Sequence, residues 1–236
     1  MRLNKHISDT GYCSRREADR LIAEGRVTIN GQKPGFGAQV AEGDVVLIDG
    51  QELRARPNKG ARRHVYIALN KPVGITCTTE STVKGNIVDF VGHEQRIFPI
   101  GRLDKDSEGL ILLTSNGDIV NEILRSENNH EKEYLVAVNK AVTDEFLRDM
   151  ARGVRIHGQM TKPCRTRRIA KFGFAIVLTQ GLNRQIRLMA EALGYKVTQL
   201  RRVRIINVKL GHLKIGQWRN LTEAELRGLL PQRTEW

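Results

Sequence analysis

The sequence predicts an α+β chain in two parts. Residues 1–53 form a small α+β module, and residues 64–236 form a larger domain on a mixed, largely antiparallel sheet. Three observations predict this. Helix-like and strand-like patterns follow one another without the regular alternation that a doubly wound parallel sheet needs. The segment 54–63, RARPNKGARR, holds five basic residues, one Pro and one Gly, with only Ala to seed a core, so it reads as a flexible linker. At roughly 150 residues per domain, 236 residues allow one large and one small unit.

The elements follow in order. Leu3 and Ile7 stand one helical turn apart. Ser14 with Glu17 is a capping-box pattern, Ala18, Leu21 and Ile22 continue an apolar helix face, and Gly25 ends that helix. Val27 and Ile29 alternate as a short strand before the tight-turn pair Asn30-Gly31. A second strand at 45–48 runs into Asp49-Gly50 and closes the module. In the larger domain, strands are expected at 65–69, 110–114, 134–138, 174–179 and 203–208. Helices are expected at 118–126, 143–151, 183–193 and 222–230, the last opened by Thr222 and Glu225 as a second capping box.

Composition excludes several classes. No apolar run exceeds five residues, far short of the ~20 that a membrane span needs. The start, MRLNKHIS, has no apolar core of a secretory signal. Cys13, Cys77 and Cys164 are spaced as neither a disulfide framework nor a metal site, and fit a reduced cytoplasm. The six histidines are isolated, and Gly35-Phe36-Gly37 is too short for a dinucleotide loop, so no metal or cofactor is expected. Net charge is +13, but residues 152–219 alone carry 16 Lys/Arg against Glu191, a net of +15. A basic block inside a folded pattern predicts a face that meets a polyanion such as RNA. With only 5% aromatics, a broad stacking platform for single strands is not expected.

The N-terminal features resemble the S4 RNA-binding domain: RLNKHIS, CSRREAD at 13–19, GRVTINGQ at 25–32 and GDVVLIDG at 43–50. That resemblance implies RNA contacts from Lys5, Arg15, Arg16 and Arg20; the plain alternative is solvated helix charges. Four further segments resemble, in the same order, the bacterial A-type pseudouridine synthases of small-subunit ribosomal RNA. They are LNKPVG at 69–74, GRLDKDSEGL at 101–110, KEYLV at 132–136 and GLNRQIR at 181–187. Within that family the sequence looks most like the F-type synthases of large-subunit ribosomal RNA, which act on 23S rRNA and also on a tyrosine tRNA; the B and E types share these motifs. Some relatives carry a Lys/Arg-rich C-terminal tail. This sequence stops at Trp236 without one, so affinity of that kind would fall to the 152–219 block.

The resemblance implies cofactor-free isomerisation of a flipped-out uridine. The N1–C1′ bond breaks, the base turns, and it rejoins through C5. That chemistry needs a carboxylate, as nucleophile or as base at the sugar. The resemblance assigns it to Asp104 of Arg102-Leu103-Asp104, with Asp106 in a variable slot. A nearby cation favours an ionised carboxylate, and the resemblance makes that cation Arg187. On a helix over 183–193, Asn183 and Arg187 share a face and Arg184 points elsewhere, toward phosphate. Tyr134, Val136 and Val138 share one strand face, which alone fits a core; the resemblance makes Tyr134 a stacking partner for the target base. Lys71-Pro72 reads as a strand end and, by resemblance, as support for the active-site loop near the RNA. Arg102 is expected at a phosphate. Arg202 and Arg204 are expected to share a strand face that meets RNA backbone.

Two other functions fit parts of this pattern. A non-catalytic RNA-binding or ribosome-assembly factor could keep the fold, but it has no reason to keep Asp104, Tyr134 and Arg187 together. A methyltransferase would need a glycine-rich loop after a strand, and none is found. The expected protein acts on RNA without cofactor or membrane, as a monomer.

Overall fold

In the computed structural model, described for residues 1–53, 64–124 and 130–233, the chain divides into two compact units, Met1–Arg63 and His64–Trp236. The expected linker at 54–63 and the last residues of the helix expected at 118–126 lie outside the described residues.

In the first unit, Leu3–Asp9 (α1) and Arg15–Ala23 (α2) pack on a small sheet of Val27–Ile29 (β1), Val46–Ile48 (β2) and Gln51–Glu52 (β3). Leu3 and Ile7 are buried with Ala18, Leu21, Val27, Val40, Val46 and Ile48, as their spacing requires. The Ser14 hydroxyl accepts from the Glu17 amide, a cap worth about 1 kcal/mol. Asn30 and Gly31 both have positive φ, and Ile29 and Gln32 exchange backbone hydrogen bonds around them. The turn is therefore made as expected. Yet β1 continues not with the residues after it but with β2, because the Asn30 side chain binds Asp44 and the Val45 amide across the loop.

The second unit carries its strands and helices in this order: Tyr66–Lys71 (β4), Ile87–Val91 (α3), Phe98–Ile100 (β5), Glu108–Thr114 (β6), Val120–Leu124 (α4), Lys132–Val138 (β7), Asp144–Arg152 (α5), Arg155–Ile156 (β8), Gln159–Met160 (β9), Arg165–Ala170 (β10), Gly173–Leu178 (β11), Gln185–Ala192 (α6), Val197–Ile205 (β12), Val208–Lys209 (β13), Trp218–Asn220 (β14) and Glu223–Leu229 (α7). Among the described residues one sheet runs β10-β11-β7-β12-β6-β4-β14, with β13 on β12 and β5 on β6. Every pairing in it is antiparallel except β6 with β12, so the sheet is mixed as expected.

The two faces of the sheet carry separate cores, and β4 and β6 lie buried between them: Ile67, Leu69, Ile111 and Leu113 belong to one, Tyr66, Ala68, Leu110 and Leu112 to the other. Tyr134, Val136, Phe174 and Ile176 share a core with Phe146 and Met150 of α5 and Met189 of α6. Tyr66, Ala68, Leu110 and Leu112 share another with Leu226, Leu229 and Leu230 at α7, which opens on the Thr222–Glu225 capping box. The edge strand β10 escapes sequence patterning because its exposed arginines show no apolar alternation. It pairs with β11, while Arg165 meets Glu131 and Arg168 meets Asp144. Charge on an edge strand also discourages pairing with other chains.

One local feature positions the functional site. β6 pairs along its length with β4. Its other edge is shared: β12 takes only Glu108 and Gly109, and β5 takes residues 112–114. The sheet splits there, and the segment from Gly101 to Ser107, between β5 and β6, sits at the split.

Candidate active site

The loop 101–107 is tied down by its own backbone. Gly74 N–H donates to Lys105 O (2.8 Å), and Leu103 N–H donates to Cys77 Sγ (3.4 Å). Ser107 N–H donates to Asp104 O (3.0 Å), and Arg202 Nη1 donates to Arg102 O (3.4 Å). Arg187 Nη2 reaches both Asp106 O (2.8 Å) and Ser107 Oγ (3.1 Å). Leu103 is buried in the core between these ties. The Asp104 carboxylate is left half-buried and, among the described residues, accepts no hydrogen bond and makes no ion pair.

Two clefts meet at this loop. One, of about 590 Å³, lies against Val73, Thr76, Cys77 and Thr78. The other, of about 780 Å³, has Lys132, Tyr134, Leu200 and Arg202 in its wall, together with Asn183 and Arg187. Arg102, Leu103, Asp104 and Arg184 border both. Of the expected site residues, Asp104, Tyr134, Arg187, Arg102, Asn183, Arg184 and Arg202 thus come together around one cleft. Lys5, Arg15, Arg16 and Arg20 belong to the first unit. Arg15 and Arg16 are exposed, Lys5 lies 3.9 Å from Asp9, and Arg20 is held by Glu17 and Glu24.

The structure corrects several expectations. Arg187 does not contact Asp104; its acidic neighbour is Asp106, 3.4 Å from Nε. Arg184 does not point away, because the helix begins only at Gln185. Arg184 sits before it with φ 49° and ψ 29°, and Nη1 meets the same Asp106 carboxylate at 3.1 Å. Asn183 is consequently off the helix and exposed, and shares no helical face with Arg187. Lys71 is fully buried, so its ammonium is not offered at the surface where an RNA contact was expected. Its Nζ donates to Pro72 O (2.8 Å) and Ile75 O (2.9 Å), which fixes the turn carrying Cys77. Burial pushes the Lys71 ammonium below its ordinary value.

Arg202 and Arg204 do not share a face. The strand expected at 203–208 starts at Val197, and Ile206 and Asn207 form a turn. Arg202 opposes Tyr134 while Arg204 opposes Glu133, so β12 advances two residues where β7 advances one. This bulge at Val203 resets the alternation. Arg204 turns with Arg201 to the opposite face, where it is held by Glu131 and Glu133 at 3.0 Å each. Arg202 is only 4% exposed, donates from Nε to Leu110 O (2.7 Å), and lies 6.0 Å from the Tyr134 ring centroid.

Two residues at this site escape the sequence reading. Cys77 anchors Leu103, and burial pushes its thiol up. Lys132 is accessible from the period, since it stands two residues before Tyr134 on the same strand face. Burial and then the Arg202 charge hold its ammonium below the ordinary value.

Comparison with known proteins agrees with this geometry. The family model for RNA pseudouridylate synthase matches residues 65–192, and the S4 domain model matches residues 1–46. A Salmonella typhi protein, dual-specificity RNA pseudouridine synthase RluF, is 58% identical over 225 residues, 95% of this chain and 77% of its own. Ribosomal large subunit pseudouridine synthase B of Bacillus subtilis is 34% identical over 238 residues, 97% of this chain and 95% of its own. A solved pseudouridylate synthase crystal structure superposes with a TM-score of 0.69 at 28% identity, covering 97% of this chain and 99% of that one. A carboxylate held over a basic, tyrosine-floored cleft is thus found in a chain that belongs to the RNA pseudouridine synthases, with an S4 domain at its N-terminus.

Proposed function

We propose that this enzyme converts a specific uridine of 23S rRNA, and one of a tyrosine tRNA, to pseudouridine, with Asp104 as the reacting carboxylate. The RluF relatives carry the name dual-specificity, which supports two RNA substrates. The observation that carries the role of Asp104 is its carboxylate: at the meeting of the two clefts it has no partner among the described residues, whereas Asp106 is occupied by Arg184 and Arg187. The Asp104 carboxylate is free to meet substrate, whereas that of Asp106 is engaged by two arginines.

In this proposal a uridine flips into the larger cleft and its base lies against Tyr134. The C1′–N1 electron pair leaves with the base. C1′ then bonds to a carboxylate oxygen of Asp104, or the carboxylate removes the C2′ proton. The base turns and C5 bonds to C1′, with the Asp104 oxygen leaving C1′ on the first route or the proton returning from Asp104 to C2′ on the second; the C5 proton is lost and N1 takes one up, so atoms balance without a cofactor. Arg187 acts as a positioning residue through Asp106 and Ser107. Arg102, Arg184 and Asn183 hold the flanking backbone. Residues 1–53 with Lys5, Arg15, Arg16 and Arg20 add RNA affinity, 54–63 link the parts, and 64–236 form the catalytic domain. The protein works as a monomer in the cytoplasm, in keeping with three free thiols.

The test compares tritium release from [5-³H]uridine-labelled 23S rRNA and tyrosine tRNA by wild type, Asp104→Asn and Asp106→Asn. Asp104→Asn should bind RNA normally and release nothing. Asp106→Asn should retain turnover within about tenfold, because in this proposal Asp106 meets Arg184 and Arg187 and no substrate atom. Turnover by Asp104→Asn at the wild-type rate refutes the assignment.

A further inference from the structure

The larger cleft contains two cations that no described residue neutralises. Among the described residues Arg202 bonds only to the carbonyls of Leu110 and Arg102, and its Nη2 is buried without a partner. Among the same residues Lys132 Nζ has only His130 O, at 3.4 Å. Among the described residues neither cation touches a carboxylate, although Arg201 and Arg204 on the same strand are each beside one. Arg202 and Lys132 both border the cleft with Tyr134. A buried donor left unmade costs ~1–3 kcal/mol, and a buried charge without a partner costs more. An anion that meets both cations in the working state offsets that cost.

We infer that the Arg202 guanidinium and the Lys132 ammonium form a cationic site that stabilises the departing uracil, which carries the C1′–N1 electron pair as negative charge on N1, O2 and O4 while it turns. This rests on the uridine entering the larger cleft as proposed above. Both chemical routes at Asp104 share that charge, because in each the electron pair leaves with the base and is returned when C5 bonds to C1′. Cations already fixed in a water-poor site stabilise developing charge without reorganising at that moment. The Tyr134 ring decides between base and phosphate. It stands in register with Arg202 and under its guanidinium, so a group that enters the cleft beside that charge lies against an aromatic face. A planar base fits that position, whereas a phosphodiester is served by the exposed Arg102 and Arg184 at the rim.

The experiment is single-turnover tritium release by the full chain in excess over [5-³H]uridine-labelled RNA from a strain lacking the protein. Lys132→Met, Lys132→Arg and Arg202→Lys are compared with wild type. Lys132→Met should slow the saturated rate about 10²-fold, leave the half-saturating enzyme concentration unchanged, and recover to within tenfold as Lys132→Arg. Arg202→Lys should slow the same rate without weakening binding. Lys132 variants keep the test valid if Arg202→Lys loosens the loop through Arg102. Weaker binding at an unchanged saturated rate would mean that the cations hold phosphate, and overturns the inference. No change in either quantity overturns it as well. In both of those outcomes wild type still converts RNA, so the proposed function stands; a wild type that converts none overturns both together.

Discussion

Gly109→Ala should unfold the catalytic unit at a markedly lower temperature, and the reason is the narrow contact between β6 and β12. Gly109 has φ +107°, and a Cβ there would lie 2.3 Å from Arg202 O and 2.7 Å from Arg202 N. The strands would have to part by ~1 Å to restore ordinary contact. They cannot yield easily, since β6 is paired along its length with β4 and β12 with β7. Positive φ costs a non-glycine residue roughly 1–2 kcal/mol, and overpacking costs about 1–3 kcal/mol. The sum, about 2–5 kcal/mol, lowers Tm by roughly 4–20 °C at ~2–4 °C per kcal/mol for a chain of this size. Gly158→Ala is the comparison. It has φ +74° but nothing within 4 Å of its Cβ, so it bears only the backbone part. Calorimetric scans of the three proteins measure both. A Gly109→Ala protein melting within about 2 °C of wild type, or no lower than Gly158→Ala, would refute the close-approach argument. The variant should also lose turnover, because parting the strands moves Arg202 from Tyr134 and from the carbonyl of Arg102.

Two more outcomes follow from charge. The Arg219 guanidinium, at 2.7 Å, holds the Glu225 carboxyl below its ordinary value, and the Thr222 amide and hydroxyl add to this. A depressed folded value means the unfolded chain binds the proton more readily, so the contribution is complete above the ordinary carboxylate range and is lost as pH falls through the folded value. Glu225→Gln should therefore flatten the acid side of the Tm-against-pH curve while the alkaline side keeps its shape; an unchanged acid limb would disprove the coupling. RNA binding should weaken steeply with salt, by about 0.7–0.9 in log Kd per log unit for each phosphate neutralised. A filter-binding titration should give a slope steeper than about −3, though well short of one contact per basic residue in 152–219, because Arg165, Arg168, Arg204 and Arg219 already face acids. A flat response would contradict the basic-face argument.

The sequence by itself determined what depends on neighbours along the chain. The Thr222 capping box, the Leu3–Ile7 spacing, the Asn30-Gly31 turn and the alternation of Tyr134, Val136 and Val138 all form as read, because each is set within about four residues, while at Ser14 the cap forms without the reciprocal Glu17 bond because Glu17 meets Arg20. The four motifs in order, behind the S4 pattern, placed the chain in its family. What the tertiary structure alone decided is which charge meets which. Arg187 finds Asp106 rather than Asp104 across 81 residues. The bulge between Arg202 and Arg204 depends on the register with β7 and sends two arginines of one motif to opposite faces. Lys71, charged by its chemistry, is buried because Pro72 and Ile75 turn their carbonyls onto it. Helical and strand periods report only the direction in which a side chain leaves its own backbone. The partner it meets is fixed by sheet register and loop path, which are properties of distant segments packed together.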